Sequence, residues 1–405
     1  MKIIIMTTLA LLLATPCLFA RSKPVDGFSV YLIGQPDKDS AFIGSIPQGE
    51  GPVSSLCETR DNGVIGGTRV ARGKSPWLFY YSLKDKIIRR ESVLPLSGTF
   101  PGQKCVSGLV MAADSAVYGA ITLLHEMDYE FEADVKAMSY EGAHLFKAAV
   151  NAGKISVTDL GVAVKGEGIS AIVAGRGGDV LYGVTVPSQV FFSYDIKTGK
   201  AQELGKLPEF ETEFRRYISK STRALVVDDS GNVYGSAARG KLFKYTVSSK
   251  KLDTLSTALP TEGNGAAYDC ITTFARTKSG RIFGGTFLDG KLFELFPRTG
   301  RIKDLGLTSR TGNLTGLAEK DGILYGLSGS KSSTTKYFAY NPATGEFQKF
   351  PEVKIYYENT DLKSKWMFRH LRGLILMKNG MFATADDDQG ARFYTIDPKP
   401  GEWTK

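Results

Sequence analysis

Histidine and cysteine are scarce in this 405-residue chain, which holds three of the first and four of the second. Cys17 lies in an N-terminal leader considered below. That leaves Cys57, Cys105 and Cys270, too few and too scattered for a disulfide framework, so burial as small apolar groups is expected. Beyond residue 20 no segment approaches the roughly 18 apolar residues that a membrane helix needs, so no membrane span is expected. Lysine and arginine form no block of the kind that binds nucleic acid, and no nucleic-acid partner is expected. A Gly-x-Ser-x-Gly elbow, a His-Glu-x-x-His zinc helix and a phosphate-binding glycine loop are all missing. The acidic runs at 126–132 and 386–388 lack a calcium-ligand spacing, so neither a metal nor another cofactor is expected. Helical periodicity is nearly absent; only residues 127–138 predict a short helix.

Glycine, by contrast, is abundant at 45 residues, and aromatics make up 11%. That mixture suits many short strands joined by tight turns. The first twenty residues read as an export signal: Lys2 is the positive end, residues 3–13 the short apolar stretch, and Cys17-Leu18-Phe19-Ala20 the cleavage end. A secreted or periplasmic protein follows, with residues 21–405 as a single domain. The net charge of +9 admits two readings, a basic soluble surface or an anionic ligand such as an acidic glycan.

An internal repeat decides the architecture. Seven segments align: Val53-Ser-Ser-Leu-Cys57, Val106-Ser-Gly-Leu-Val110, Ile169-Ser-Ala-Ile-Val173, Thr222-Arg-Ala-Leu-Val226, Ile271-Thr-Thr-Phe-Ala275, Leu314-Thr-Gly-Leu-Ala318 and Leu371-Arg-Gly-Leu-Ile375. The fourth position is large and apolar, the second polar and the third small, as crowding near a central axis would select. Each is followed by a second strand such as Gly63-Val-Ile-Gly-Gly-Thr68. A third strand then carries a pair such as Leu145-Phe146, Phe191-Phe192 or Leu292-Phe293, and a fourth ends near Asp-Leu-Gly, as at Asp159 and Asp304. The units start 43 to 63 residues apart, the size of a four-stranded propeller blade. The fold expected is therefore all-β, a seven-bladed β-propeller of four-stranded antiparallel blades. The last unit is short, so the N-terminal strands at 28–33 and 42–46 are expected to complete its blade and close the ring, hiding the open edges.

Propeller geometry sorts residues by face. Loops that lead into the first strands and those that leave the second strands share one face, here called the loop face. The long excursions at 122–143, 207–221 and 351–370 all belong to it, as do His125, His144 and His370. Tyr217 lies in the loop before blade four, Tyr268 and Asn313 at two further starts, and Arg310 before blade six. Arg223 and Arg372 hold the second repeat position in blades four and seven, where the other blades carry Ser or Thr. The aromatic pairs of the third strands are inter-blade core, and the Gly-Gly-Thr stretches report strand geometry.

At His125 and the Gly142-Ala-His144-Leu-Phe146 stretch the chain resembles the seven-bladed polysaccharide lyases of the ulvan lyase and rhamnose–glucuronate lyase type. The resemblance implies β-elimination at a uronic acid unit of an acidic polysaccharide or oligosaccharide. It implies His125 and His144 as base and carboxylate contacts, with Tyr217, Tyr268 or Tyr129 supplying the phenol, because 185–189 lacks the tyrosine such lyases often carry. Arg223 and Arg372 would neutralise the carboxylate, and His370, Arg310, Tyr268 and Asn313 would line the substrate site. The other expectation is a non-catalytic propeller that binds an acidic glycan or a protein partner through the same face; in either case a monomer is expected.

Overall fold

Seven four-stranded antiparallel sheets form the blades of a ring, as the repeat predicts. The computed structural model describes residues 28–32, 53–70, 75–86, 88–123, 139–208, 222–261, 269–308, 312–329, 335–352, 354–357, 365–368, 371–386 and 392–397. The first strands of the blades are Val53–Glu58, Cys105–Met111, Gly168–Ala174, Leu225–Val227, Ile271–Arg276, Asn313–Lys320 and Leu371–Leu376. In six blades the remaining strands follow in sequence order toward the rim. The seventh differs: its outer strand is Phe28–Leu32, paired antiparallel with Arg392–Ile396. The stretch at 42–46 and the helix expected at 127–138 lie outside the described residues. One strand pair, Lys354–Tyr357 with Lys365–Phe368, stands apart from the blades, in the excursion before blade seven.

The third-strand pairs explain how the blades hold one another. Neighbouring residues of a strand point to opposite faces of its sheet, so one member of each pair packs on the following blade and the other on the preceding blade. Phe191 joins the core shared with blade four, whereas Phe192 joins the core shared with blade two. Leu242 and Phe243 divide in the same way, as do Leu292 and Phe293. The pattern repeats around the whole ring, and Phe79 and Phe393 meet in the core between blades one and seven, with ring centroids 5.9 Å apart.

The second member of each pair faces a glycine. Phe79, Phe146, Phe192, Phe243, Phe293 and Phe338 stand directly across from Gly66, Gly119, Gly183, Gly235, Gly284 and Gly326 on the second strand. In every case the phenyl ring occupies the space that a β-carbon would need. The ring covers backbone that glycine leaves bare and buries its own surface, at about 1.5–3 kcal/mol for each fully buried Phe. Blade seven departs from the rule, with Thr384 opposite Tyr394.

Second-strand threonines fix the ends of these strands. Thr68, Thr185 and Thr286 accept the backbone N–H of Trp77, Val190 and Lys291 through Oγ1, at 2.9, 2.9 and 3.0 Å. The Gly-Gly-Thr signature thus has two structural jobs, ring packing and loop closure. The three described cysteines are buried and form no disulfide, as their number suggested.

A methyl group at Gly284 would collide with the Phe293 ring, whereas one at Gly98 would meet no atom within 4 Å. Gly284→Ala is expected to lower stability by about 1–3 kcal/mol, and Gly98→Ala to leave it nearly unchanged. Urea denaturation of the two variants checks this.

Candidate functional site at the channel mouth

The first strands line the axis, and their second repeat position is placed by a β-bulge. In blades one, two, three, five and six the pairing to the second strand skips Ser54, Ser107, Ser170, Thr272 and Thr315. A bulged residue is freed from the regular alternation and its side chain can be re-aimed. These five hydroxyl residues, with Arg223 and Arg372, all line one axial cavity of about 190 Å³. Every blade contributes the same position. Some hydroxyls also tie neighbouring blades: Ser54 donates to the carbonyl of Val106 at 2.7 Å, and Thr272 donates to that of Leu314.

The two arginines sit where the bulge pattern changes. In blade four the paired part of the first strand starts only at Leu225, so Arg223 precedes it. In blade seven Arg372 is itself paired, with Ala385, and the irregularity moves on to Gly373 and Leu374. Gly373 has φ +71°, a conformation that favours glycine. Blades four and seven are three steps apart around a ring of seven, so the arginines approach the axis from nearly opposite sides. Both are half-buried. Asn313, from the start of the blade-six strand, lines the same cavity, and no carboxylate lines it among the described residues.

Arg223 is supported from blade five. Its guanidinium lies over the Phe287 ring, 4.2 Å from the centroid, a cation–π geometry. Phe287 is held in turn by Asp269, a fully buried carboxylate that accepts the N–H groups of Cys270, Phe287 and Leu288 at 2.8, 2.9 and 3.0 Å, and the hydroxyl of Thr261. Burial pushes the Asp269 carboxyl above its usual range despite these donors. Sequence reasoning missed both Asp269 and Phe287. The available signal was an acid two residues before the repeat segment of blade five, a position where only blade three carries another acid, Glu167.

His144 occupies a different place. It opens the third strand of blade two, its Nδ1 lies 3.0 Å from both carboxylate oxygens of Asp159 on the fourth strand, and its ring meets Phe100 edge-on. Blade five repeats the arrangement with lysine: Lys291 Nζ lies 3.1 Å from Asp304. In both blades the same carboxylate also accepts the N–H of the glycine two residues on, Gly161 or Gly306, at 2.8 Å. A base paired with the Asp-Leu-Gly bulge is therefore a feature of the repeat, and in blade two that base is histidine. His144 does not line the axial cavity. His125, Tyr129, Tyr217, Tyr268, Arg310 and His370 lie outside the described residues. Of the ten residues singled out in the sequence, the structure brings together Arg223, Asn313 and Arg372.

No family model matches the chain, and no curated protein does. Solved structures match it. The virginiamycin B lyase of Staphylococcus aureus superposes with a TM-score of 0.60 at 11% identity, over 93% of this chain and 99% of that one. The likeness is one of fold. The extracellular domain of BT4673 from B. thetaiotaomicron, described as a one-component system, gives 0.55 at 12% identity over 93% of this chain, which spans only 40% of that longer one. A periplasmic gluconolactonase of Pseudomonas aeruginosa gives 0.51 at 12% identity, over 80% and 96% of the two chains. Among the described residues no helix is long and apolar enough to cross a membrane.

If the His144–Asp159 pair is framework, lysine will serve in its place. His144→Lys is expected to melt within a few degrees of the parent, while Asp159→Ala, which strands the base and the Gly161 N–H, costs about 1 kcal/mol. Thermal denaturation of both variants decides it.

Proposed function

We propose that the chain is exported and binds a carboxylate-bearing glycan or oligosaccharide at the loop-face mouth of its channel. One observation carries this reading: the ring of seven equivalent side chains holds five hydroxyls and two guanidiniums, with no acid among the lining residues. A guanidinium offers a planar fork of donors that matches a carboxylate, and serine and threonine hydroxyls can donate to or accept from sugar hydroxyls. Stacking on Phe287 helps to hold the Arg223 fork in one plane, so less side-chain freedom is lost on binding. The leader at 1–20 and the extracellular or periplasmic origin of two neighbours of the same fold support export.

Cleavage of that glycan by β-elimination is the fuller form of the proposal. Its support is the lyase resemblance at His125 and His144 and the cationic axis, which would stabilise the enolate-like charge formed when the proton beside the carboxylate leaves. It requires a base and an acid at the mouth, from His125, His144 or Tyr217. A fold shared with enzymes does not by itself supply chemistry, and His144 already has a framework partner in Asp159. Binding alone is the reading that the described geometry favours.

Oligogalacturonides are suitable probes, with their methyl esters as neutral controls. The acid form is expected to bind and the ester to bind weakly. Arg223→Ala or Arg372→Ala should each weaken binding about 10- to 100-fold, the worth of a charged hydrogen-bonding pair. Ultraviolet absorbance of an unsaturated product, followed in the same samples, separates a lyase from a binding protein. Equal affinity for acid and ester would overturn the proposal.

A further inference from the structure

The face opposite the channel mouth carries a second cavity that the proposal above does not use. It is a groove of about 970 Å³ between blades four and five, within the size range of ligand pockets. Its walls are the turns joining first to second strands, at 228–232 and 279–281, and the turn from third to fourth strand in blade five, at 296–301.

Its charges are lopsided once internal partners are assigned. Asp228 accepts the N–H groups of Ser230 and Asn232, the Asn232 amide and the Tyr234 hydroxyl. Glu294 takes a two-pronged contact from Arg281, at 2.7 and 2.9 Å, and Asp229 pairs with Arg276. All three acids of the lining are thus engaged. Lys244, Arg298, Arg301 and Lys303 have no carboxylate partner among the described residues, and the last three are exposed. Beside them stands Phe296, 41% exposed and one of only two exposed large apolar side chains among the described residues. Pro297 and Ile302, both half-buried, extend the apolar surface.

We infer that this groove is a docking site for an acidic peptide segment of a partner protein, one that seats an apolar side chain against Phe296 and Ile302 while its carboxylates meet Arg298, Arg301 and Lys303. Charge complementarity selects an anionic occupant. A peptide is favoured over an acidic glycan because the groove offers an apolar anchor point together with the outermost strand of blade five, Arg301–Leu307. That strand is the edge of its sheet, and an extended peptide can pair its own backbone with such an edge. The groove and the channel mouth lie on opposite faces, so a partner docked here leaves the axial cavity open. The inference does not depend on what that cavity binds.

The test uses the full chain and a fluorescein-labelled octapeptide of alternating glutamate and leucine, read by fluorescence anisotropy. Saturable binding is expected, weakening as salt is raised, with no binding of the same peptide carrying lysine for glutamate. The pair Arg298→Glu and Lys303→Glu, and separately Phe296→Ser, should each weaken binding by at least about tenfold, whereas Arg372→Ala should not alter it. These positions are at the surface, and Arg301→Gln stands in should the charge-reversed protein fail to fold. Absence of saturable binding, binding indifferent to these substitutions, or tighter binding of a sulfated oligosaccharide at the same residues would each overturn the inference.

Discussion

A phenyl ring lying over a glycine on the adjacent strand is the contact on which the rest of this molecule depends. Six blades use it, from Gly66 with Phe79 to Gly326 with Phe338. The missing β-carbon lets the ring settle against the sheet, and the strand's alternation then sends the neighbouring large residue toward the next blade. Each third strand therefore contributes to two cores at once. Seven such inter-blade cores, repeated around an axis, define the ring and the shape of its channel.

The same repetition makes departures informative. Where all blades share a role, the side chains are interchangeable within a chemical type, as Ser54, Ser107, Ser170, Thr272 and Thr315 are on the axis. Arg223 and Arg372 break that rule in charge and size, and the backbone changes with them: one precedes its paired strand and the other has Gly373 behind it. Arg223 further acquires a dedicated support in Phe287, itself held by the buried Asp269. A merely tolerated surface arginine needs none of this. His144 shows the opposite case, since a residue that looked singular in the sequence is the blade-two version of the Lys291–Asp304 pair.

The blades were legible because their signals are local and recur: a glycine-bearing second strand, an aromatic third strand and a glycine turn, at spacings that fit nothing else. The division of residues between the two faces followed from strand direction alone, and it put on one face Arg223, Asn313 and Arg372, which line one cavity. Distance from the axis was not legible. A first-strand residue and a third-strand residue can share a face yet stand at different radii, which is why His144 belonged in the sequence to the same set as Arg372 and in the structure does not line its cavity. Asp269 and Phe287 were hidden for a related reason: their meaning comes from a hydrogen bond across two loops of one blade, with a counterpart in Glu167 and Ser188 of blade three, and from a ring contact to Arg223 of blade four, which leaves no periodic trace.

The central claim is that the axis of this propeller recognises a carboxylate through arginines from blades four and seven. Crystals soaked with a galacturonate oligomer would test it most directly. The account predicts a uronate in the axial cavity with its carboxylate on the Arg223 or Arg372 guanidinium and sugar hydroxyls on the serine and threonine ring. A uronate bound elsewhere with the axial cavity left to solvent, or one seated there with its carboxylate turned away from both arginines, would contradict it.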